Sequence, residues 1–214
     1  LFLKCRCTTF IMSKIYLVSP PEIELRKFQK SLESILKTGL ISAFQLRLKD
    51  VAVAELEYIA KEINKICHNY NCLFILNDHL DMALNNNFGG AHIGQQDLLQ
   101  NNICKKLIRN SAQEFIVGIS CYDSLSYAFN AEEMGADYVS FGAFFPTKTK
   151  KSLSVPRPDI IKNFSVKSSL PIVAIGGINN ENCHDLVKNG ADFLAVISYI
   201  WQSCDPVKAI KKLS

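Results

Sequence analysis

Residues 171–197 read Pro-Ile-Val-Ala-Ile-Gly-Gly-Ile-Asn-Asn-Glu-Asn-Cys-His-Asp-Leu-Val-Lys-Asn-Gly-Ala-Asp-Phe-Leu-Ala-Val-Ile. Pro171–Ile175 is a short, continuous apolar run, and residues 180–189 have the length of a helix. Gly190 stands where helices commonly end, and Asp192–Ile197 is a second apolar run. This is one β–α–β unit. Its strands have no polar face, as a parallel sheet covered on both sides requires. Gly135-Ala-Asp-Tyr-Val repeats the logic of Gly190-Ala-Asp-Phe-Leu: a helix-ending glycine, a short turn, then a strand.

Working outward, the alternation covers the chain. Strands are expected at 14–19, 42–48, 73–77, 90–93, 115–119 and 137–142, ahead of 171–175 and 192–197. Helices are expected at 22–38, 53–69, 81–86, 100–110, 124–134, from Pro156 onward, at 180–189 and at 205–213. Eight β–α units close most simply into one compact (β/α)8 barrel of the TIM type, an α/β fold, over residues 13–214. A doubly wound open sheet is the alternative, weakened because no GxGxxG follows the first strand. Residues 1–12 are expected to lie outside the core, with an upstream extension of the reading frame suggested by Met12.

The 214 residues carry 24 Lys+Arg against 20 Asp+Glu, with 48% hydrophobic and 21% charged residues. That is an ordinary globular composition. The excess positive charge sits at Lys4 and Arg6 and at Lys208, Lys211 and Lys212 against Asp205, so the body between the ends is neutral. No nucleic-acid groove is expected from that distribution. No apolar run reaches the roughly 18 residues a membrane span needs. The eight scattered Cys residues, with no CxxC pair, read as buried free thiols of a reducing cytoplasm.

In such a barrel the working residues lie at the C-terminal ends of the strands. Period-two alternation sends Gln45, Arg47 and Lys49 to one side of strand two, with Leu46 and Leu48 toward the helices. Polar groups facing inward are costly unless they line a mouth that holds an anion or water. Asn77-Asp78 ends strand three, and Asp97 follows strand four. Two neighbouring carboxylates suit Mg²⁺, which keeps most of its waters and takes few protein ligands. The bland alternative makes Asp78 a helix N-cap and Asp97 a turn residue. Thr147-Lys148-Thr149-Lys150 follows strand six and offers hydroxyl and ammonium donors. Gly176-Gly177 and Ile197-Ser198 end strands seven and eight, where barrels recurrently bind phosphate. His79 and His92 lie near the mouth, His68 and His184 read as surface residues, and Cys121 reads as wall packing.

Eight pieces stand in order along residues 14–213. They are Gln45-Leu-Arg-Leu-Lys49, Asn77-Asp78, Gly90-Ala-His-Ile-Gly-Gln-Gln-Asp97, Gly118-Ile-Ser120, Gly135-Ala-Asp-Tyr138, Phe141-Gly142, Pro146-Thr-Lys-Thr-Lys150 and Ala174-Ile-Gly-Gly-Ile178. The ordered set resembles the thiamine-phosphate synthase family. The resemblance implies a transferase that joins a pyrimidine diphosphate to a thiazole phosphate and releases pyrophosphate. It implies Mg²⁺ at Asp78 and Asp97, and the diphosphate at Arg47, Lys49, Asn77 and Lys150. Gln45 and Ser120 would contact the pyrimidine side. Thr147, Thr149, Gly177, Ile197 and Ser198 would hold the thiazole phosphate. Arg47, Lys49, Ser120 and Lys150 are the expected catalytic set.

The chain departs from that pattern in three places. Ser120-Cys121-Tyr122 replaces the family's Ser-x-His, His79 stands where Arg is usual, and residues 152–158 lack the usual glycine. A thiazole tautomerase of the same fold and a non-catalytic phosphate-ligand sensor are the competing readings. Retention of the diphosphate residues speaks against the first. The implied partners are small-molecule substrates, and homo-oligomer formation is compatible with all of these features.

Overall fold

The computed structural model describes residues 14–95, 114–146 and 156–213. Eight parallel strands pair in chain order, and the last closes onto the first. They are β1 (Lys14–Val18), β2 (Ile41–Leu46), β3 (Leu73–Asn77), β4 (Gly90–Ile93), β5 (Ile116–Tyr122), β6 (Tyr138–Phe141), β7 (Ile172–Ile175) and β8 (Phe193–Val196). The expected barrel is therefore present. Among the described residues the helices are α1 (Leu25–Leu36), α2 (Val53–Asn69), α3 (Leu80–Asn85), α4 (Leu125–Glu133), α5 (Asp159–Ser165), α6 (His184–Lys188), α7 (Ser198–Trp201) and α8 (Pro206–Lys211). The extension 1–12 and the helix expected at 100–110 lie outside the described residues.

Strand alternation sorts the core into two layers. Outward residues such as Leu17, Leu46, Leu76, Ile93 and Leu194 pack with the inner faces of the helices. Inward residues, among them Tyr16, Val18, Ala43, Ile75, Tyr138 and Phe193, fill the barrel. β2 stops at Leu46, two residues before the expected end, yet Leu48 still packs outward as the alternation requires.

Boundaries moved where capping decides them. The helix expected from residue 22 begins at Leu25, because the Glu24 carboxylate accepts the Arg26 N–H at 3.1 Å. The helix expected from Pro156 begins at Asp159, and α7 was not expected at all. The repeated Gly-Ala-Asp has a second purpose that its turn reading missed. Asp137 accepts the Val117 N–H at 2.7 Å, and Asp192 accepts the Ile172 N–H at 2.8 Å. Each aspartate satisfies the start of the neighbouring strand, the same geometry reached twice.

Cys67, Cys72, Cys121 and Cys183 are buried and free, as expected, whereas Cys204 is exposed. Cys204 corrects the uniform reading: it follows α7 at the surface rather than lying in a strand or on a helix's inner face. Cys5, Cys7 and Cys104 lie outside the described residues. Among the described residues no helix is long and apolar enough to cross a membrane.

Candidate active site

The C-terminal ends of the strands hold two distinct regions. The first is the barrel interior beneath the mouth. Gln45 is only 4% exposed and donates from Nε2 to the Tyr16 hydroxyl at 3.1 Å. That hydroxyl lies 2.8 Å from the Tyr138 hydroxyl, which lies 2.9 Å from His92 Nδ1. His92 Nε2 is 2.9 Å from Ser120 Oγ. A continuous hydrogen-bonded chain thus crosses the barrel from β2 to β5. Burial raises the Tyr16 and Tyr138 phenols well above their ordinary range, so both stay protonated. Gln95, just after β4, donates to the Ser120 carbonyl at 2.8 Å.

The rim above this interior carries the charged candidates. Arg47 is half-buried and Lys49 exposed. Ser19 holds the backbone here: its Oγ accepts the Arg47 N–H at 2.9 Å, and its hydroxyl donates to the Arg47 carbonyl at 3.2 Å. Asn77 donates from Nδ2 to the Asp78 carboxylate. Asp78 takes a left-handed backbone, φ 66°, while its N–H donates to the His92 carbonyl at 2.9 Å. Asp78 is not a helix N-cap. His79 occupies that position for α3 and makes no side-chain cap.

An Mg²⁺ ion would find in Asp78 a hard oxygen donor steadied by Asn77, which fits an ion that takes one or two carboxylates and keeps its waters. The second expected ligand, Asp97, lies outside the described residues. Among the described residues no group of three or more His, Cys, Asp or Glu forms a metal cluster.

The second region is a cavity of about 290 Å³ between β7 and β8, lined by Pro146, Gly177, Ile197, Ser198, Tyr199 and Gln202 among others. The segment after β6 zips along β7 toward it: the Phe144 N–H donates to the Ile175 carbonyl and the Phe145 N–H to the Gly176 carbonyl, each at 3.1 Å. Asn182 donates from Nδ2 to the Gly177 carbonyl at 3.0 Å and accepts the Asn179 N–H at 2.9 Å, which fixes the glycine turn. The Tyr199 hydroxyl donates to Asn180 at 2.8 Å and ties α7 to the same loop. Glycine is required at 177 because φ is +64° and a Cβ there would meet the Pro146 carbonyl oxygen at 2.6 Å.

Of the expected residues, Gly177, Ile197 and Ser198 share this cavity, and Gln45 and Ser120 are joined through the interior. Thr147, Lys148, Thr149 and Lys150 lie outside the described residues, although Pro146, just before them, lines the cavity. Cys121 is fully buried in the wall as expected, and burial pushes its thiol up to about 12. His68 and His184 are exposed on their helices. Sequence reasoning missed Tyr16, Tyr138 and the interior place of His92, together with the asparagine clamp of the β7 loop.

A family model described as thiamine monophosphate synthase matches residues 15–200. The chain belongs to the thiamine monophosphate synthase family. Within that family, the thiamine-phosphate synthase of Pelagibacter ubique is 39% identical over 203 residues, covering 93% of this chain and 95% of its own length. The thiamine-phosphate synthase of Pyrococcus abyssi is 36% identical over 200 residues, covering 94% and 92%. Among solved structures, a thiamine phosphate pyrophosphorylase from Pyrococcus furiosus superposes with a TM-score of 0.76 at 30% identity, covering 95% of this chain and 94% of that one. The thiamine monophosphate synthase match begins at the second residue of β1 and runs into α7, so it spans both regions of the site.

Proposed function

We propose that this chain is a thiamine-phosphate synthase. It condenses 4-amino-2-methyl-5-pyrimidinylmethyl diphosphate with 4-methyl-5-(2-phosphoethyl)thiazole, or its 2-carboxy form, to give thiamine phosphate and pyrophosphate. The observation that carries this reading is the pairing, at one end of one barrel, of a polar interior at Gln45 and Ser120 with a glycine-walled cavity at Gly177 and Ser198.

In this reading Arg47, Lys49, Asn77 and Lys150 hold the diphosphate, while Gln45 and Ser120 face the pyrimidine. Thr147, Thr149, Gly177, Ile197 and Ser198 hold the thiazole phosphate. Asp78 and Asp97 would hold Mg²⁺, which when bound supplies positive charge to the departing diphosphate. The aminopyrimidine donates electrons toward its exocyclic CH₂, so the bond from CH₂ to the diphosphate oxygen breaks and the electron pair leaves with pyrophosphate. The thiazole nitrogen then gives its pair to the CH₂; with the plain thiazole phosphate no proton moves, whereas the 2-carboxy form also releases CO₂ and takes one proton from solvent at C2. The site's work is therefore orientation and charge neutralisation. The raised Tyr16, Tyr138 and Cys121 groups suit that demand, since none is poised as a base at neutral pH. We place the enzyme in the cytoplasm, where its free thiols stay reduced.

Purified protein given Mg²⁺ and both substrates is expected to release pyrophosphate and form thiamine phosphate. Chelation with EDTA should stop turnover and added Mg²⁺ restore it. No product from folded, Mg²⁺-supplemented protein would overturn the reading. Gly177→Ala is expected to raise KM for the thiazole phosphate about tenfold or more, equivalent to about 1.4 kcal/mol of binding. KM for the pyrimidine diphosphate should hardly change, and steady-state kinetics with each substrate varied in turn checks the split.

A further inference from the structure

We propose that Tyr16, Tyr138 and His92 form a buried relay that makes Gln45 an acceptor and Ser120 a donor toward the substrate, so that the site reads an aminopyrimidine against its oxo counterpart. The inference rests on the placement of the pyrimidine beside Gln45 and Ser120 proposed above.

The polarity follows from counting hydrogens. Gln45 Nε2 donates to the Tyr16 oxygen. A phenol has one hydrogen, and that of Tyr16 goes to the Tyr138 oxygen 2.8 Å away. The single hydrogen of Tyr138 then goes to His92 Nδ1 at 2.9 Å. Nδ1 is therefore the bare nitrogen of a neutral ring, and the proton sits on Nε2, which donates to Ser120 Oγ at 2.9 Å. Ser140 Oγ stands farther from the same nitrogen, at 3.5 Å. Having accepted from His92, the Ser120 hydroxyl has its own hydrogen to give. With one of its two Nε2 hydrogens given inward to Tyr16, Gln45 has Oε1 to present.

An aminopyrimidine carries an N–H donor beside a ring-nitrogen acceptor, which matches an acceptor and a donor presented by the protein. The oxo tautomer carries a carbonyl acceptor beside a ring N–H donor, the reverse at both places. Adapting to it requires the Gln45 amide to turn over and every hydrogen bond in the relay to reverse, because each link fixes the next. The two ends thus discriminate as a unit. Packing alone does not account for the relay. Tyr16 and Tyr138 are 2% and 0% exposed and pack with Val, Ile, Phe and Ala side chains, where a phenyl ring would fill the same space without burying a hydroxyl. Tyr16, Tyr138 and His92 are positioning residues here, acting through Gln45 and Ser120.

Histidine ¹⁵N NMR on the whole wild-type protein, with the His92 signal assigned by its loss in His92→Gln, tests the polarity directly. The expected result is the neutral Nε2–H tautomer, both free and with thiamine phosphate bound. An Nδ1–H tautomer overturns the proposal. The kinetic arm compares the amino substrate with its oxo analogue. Tyr138→Phe is expected to shrink the amino-to-oxo ratio of kcat/KM about tenfold or more, the worth of roughly one or two hydrogen bonds. An equal loss for both substrates would mark Tyr138 as structural only and also overturn the proposal. Tyr16→Phe breaks the same relay should Tyr138→Phe not fold, and if neither folds the tautomer decides. Wild-type protein that makes no thiamine phosphate would fail the functional reading instead, with the His92 tautomer still reporting on the relay.

Discussion

Arg47→Ala is expected to lower kcat/KM for the pyrimidine diphosphate by about a hundred- to a thousandfold, the usual effect of deleting one preorganised donor to developing charge. The Arg47 backbone is held at both its N–H and its carbonyl by Ser19, and the Ser19 N–H is itself bound to the Gln45 carbonyl at 2.9 Å. The guanidinium therefore starts from a fixed point at the mouth. Negative charge on the leaving diphosphate grows as the bond to CH₂ breaks, so the loss should fall on kcat as well as KM. Arg47→Lys keeps the charge but loses the planar fork, and should recover only part of the rate. Ser19→Ala leaves the charge intact and frees its anchor, so it should give a smaller loss of the same kind. Pyrophosphate release under steady-state conditions measures all three. An Arg47→Ala protein with unchanged kcat/KM would remove Arg47 from the diphosphate site.

Residues whose function is local were the ones legible in the sequence. Gln45 could be placed inside the barrel because it alternates with Arg47 and Lys49 while Leu46 and Leu48 take the other side, and a polar row facing inward marks the mouth. Gly177 stood out as the second of a glycine pair that follows the apolar run 171–175, at a strand end where barrels bind phosphate. Tyr16 and Tyr138 did not stand out. Tyrosine is a good strand former, and in a strand with no polar face it carries no mark of which layer it enters. Their meaning arises only when closure sets β1 against β8, bringing two residues 122 positions apart to 2.8 Å. His92 is similar: one histidine in Gly-Ala-His-Ile is silent until barrel curvature brings the inner faces of β4 and β6, on either side of β5, within reach of each other. The short helix α7 was hidden because Ile197-Ser198-Tyr-Ile-Trp201 looks like a continuation of β8. It turns at Ile197, whose backbone takes φ −130° and ψ −86°. Trp201 is then anchored by donating to the Val18 carbonyl at 2.7 Å.

Gly118→Ala is expected to be strongly damaging, affecting stability and turnover together. A Cβ at 118 would fall inside the Tyr138 ring, against Cζ, Cε1 and the hydroxyl oxygen. Tyr138 has no room to yield: it is fully buried, lies 6.0 Å from the Tyr16 ring centroid, and stacks on His92 at 5.6 Å and 24°. Overpacking of this kind costs about 1–3 kcal/mol. For a chain of this size each kcal/mol lowers Tm by roughly 2–4 °C. Any shift that relieves the clash also pulls the Tyr138 hydroxyl from Tyr16 and His92, so kcat should fall beyond what the stability loss explains. Gly190→Ala supplies the contrast. Its φ of +105° makes alanine strained, but its nearest neighbour, Ser165 Oγ, is 3.4 Å away, and it lies at the opposite end of the barrel, just before β8. It should lower Tm and leave kcat unchanged at temperatures where the protein is folded. A Gly118→Ala protein that melts like wild type and turns over at the wild-type rate would mean that the Tyr138 ring is free to move, and that the interior does not hold its polar groups in place.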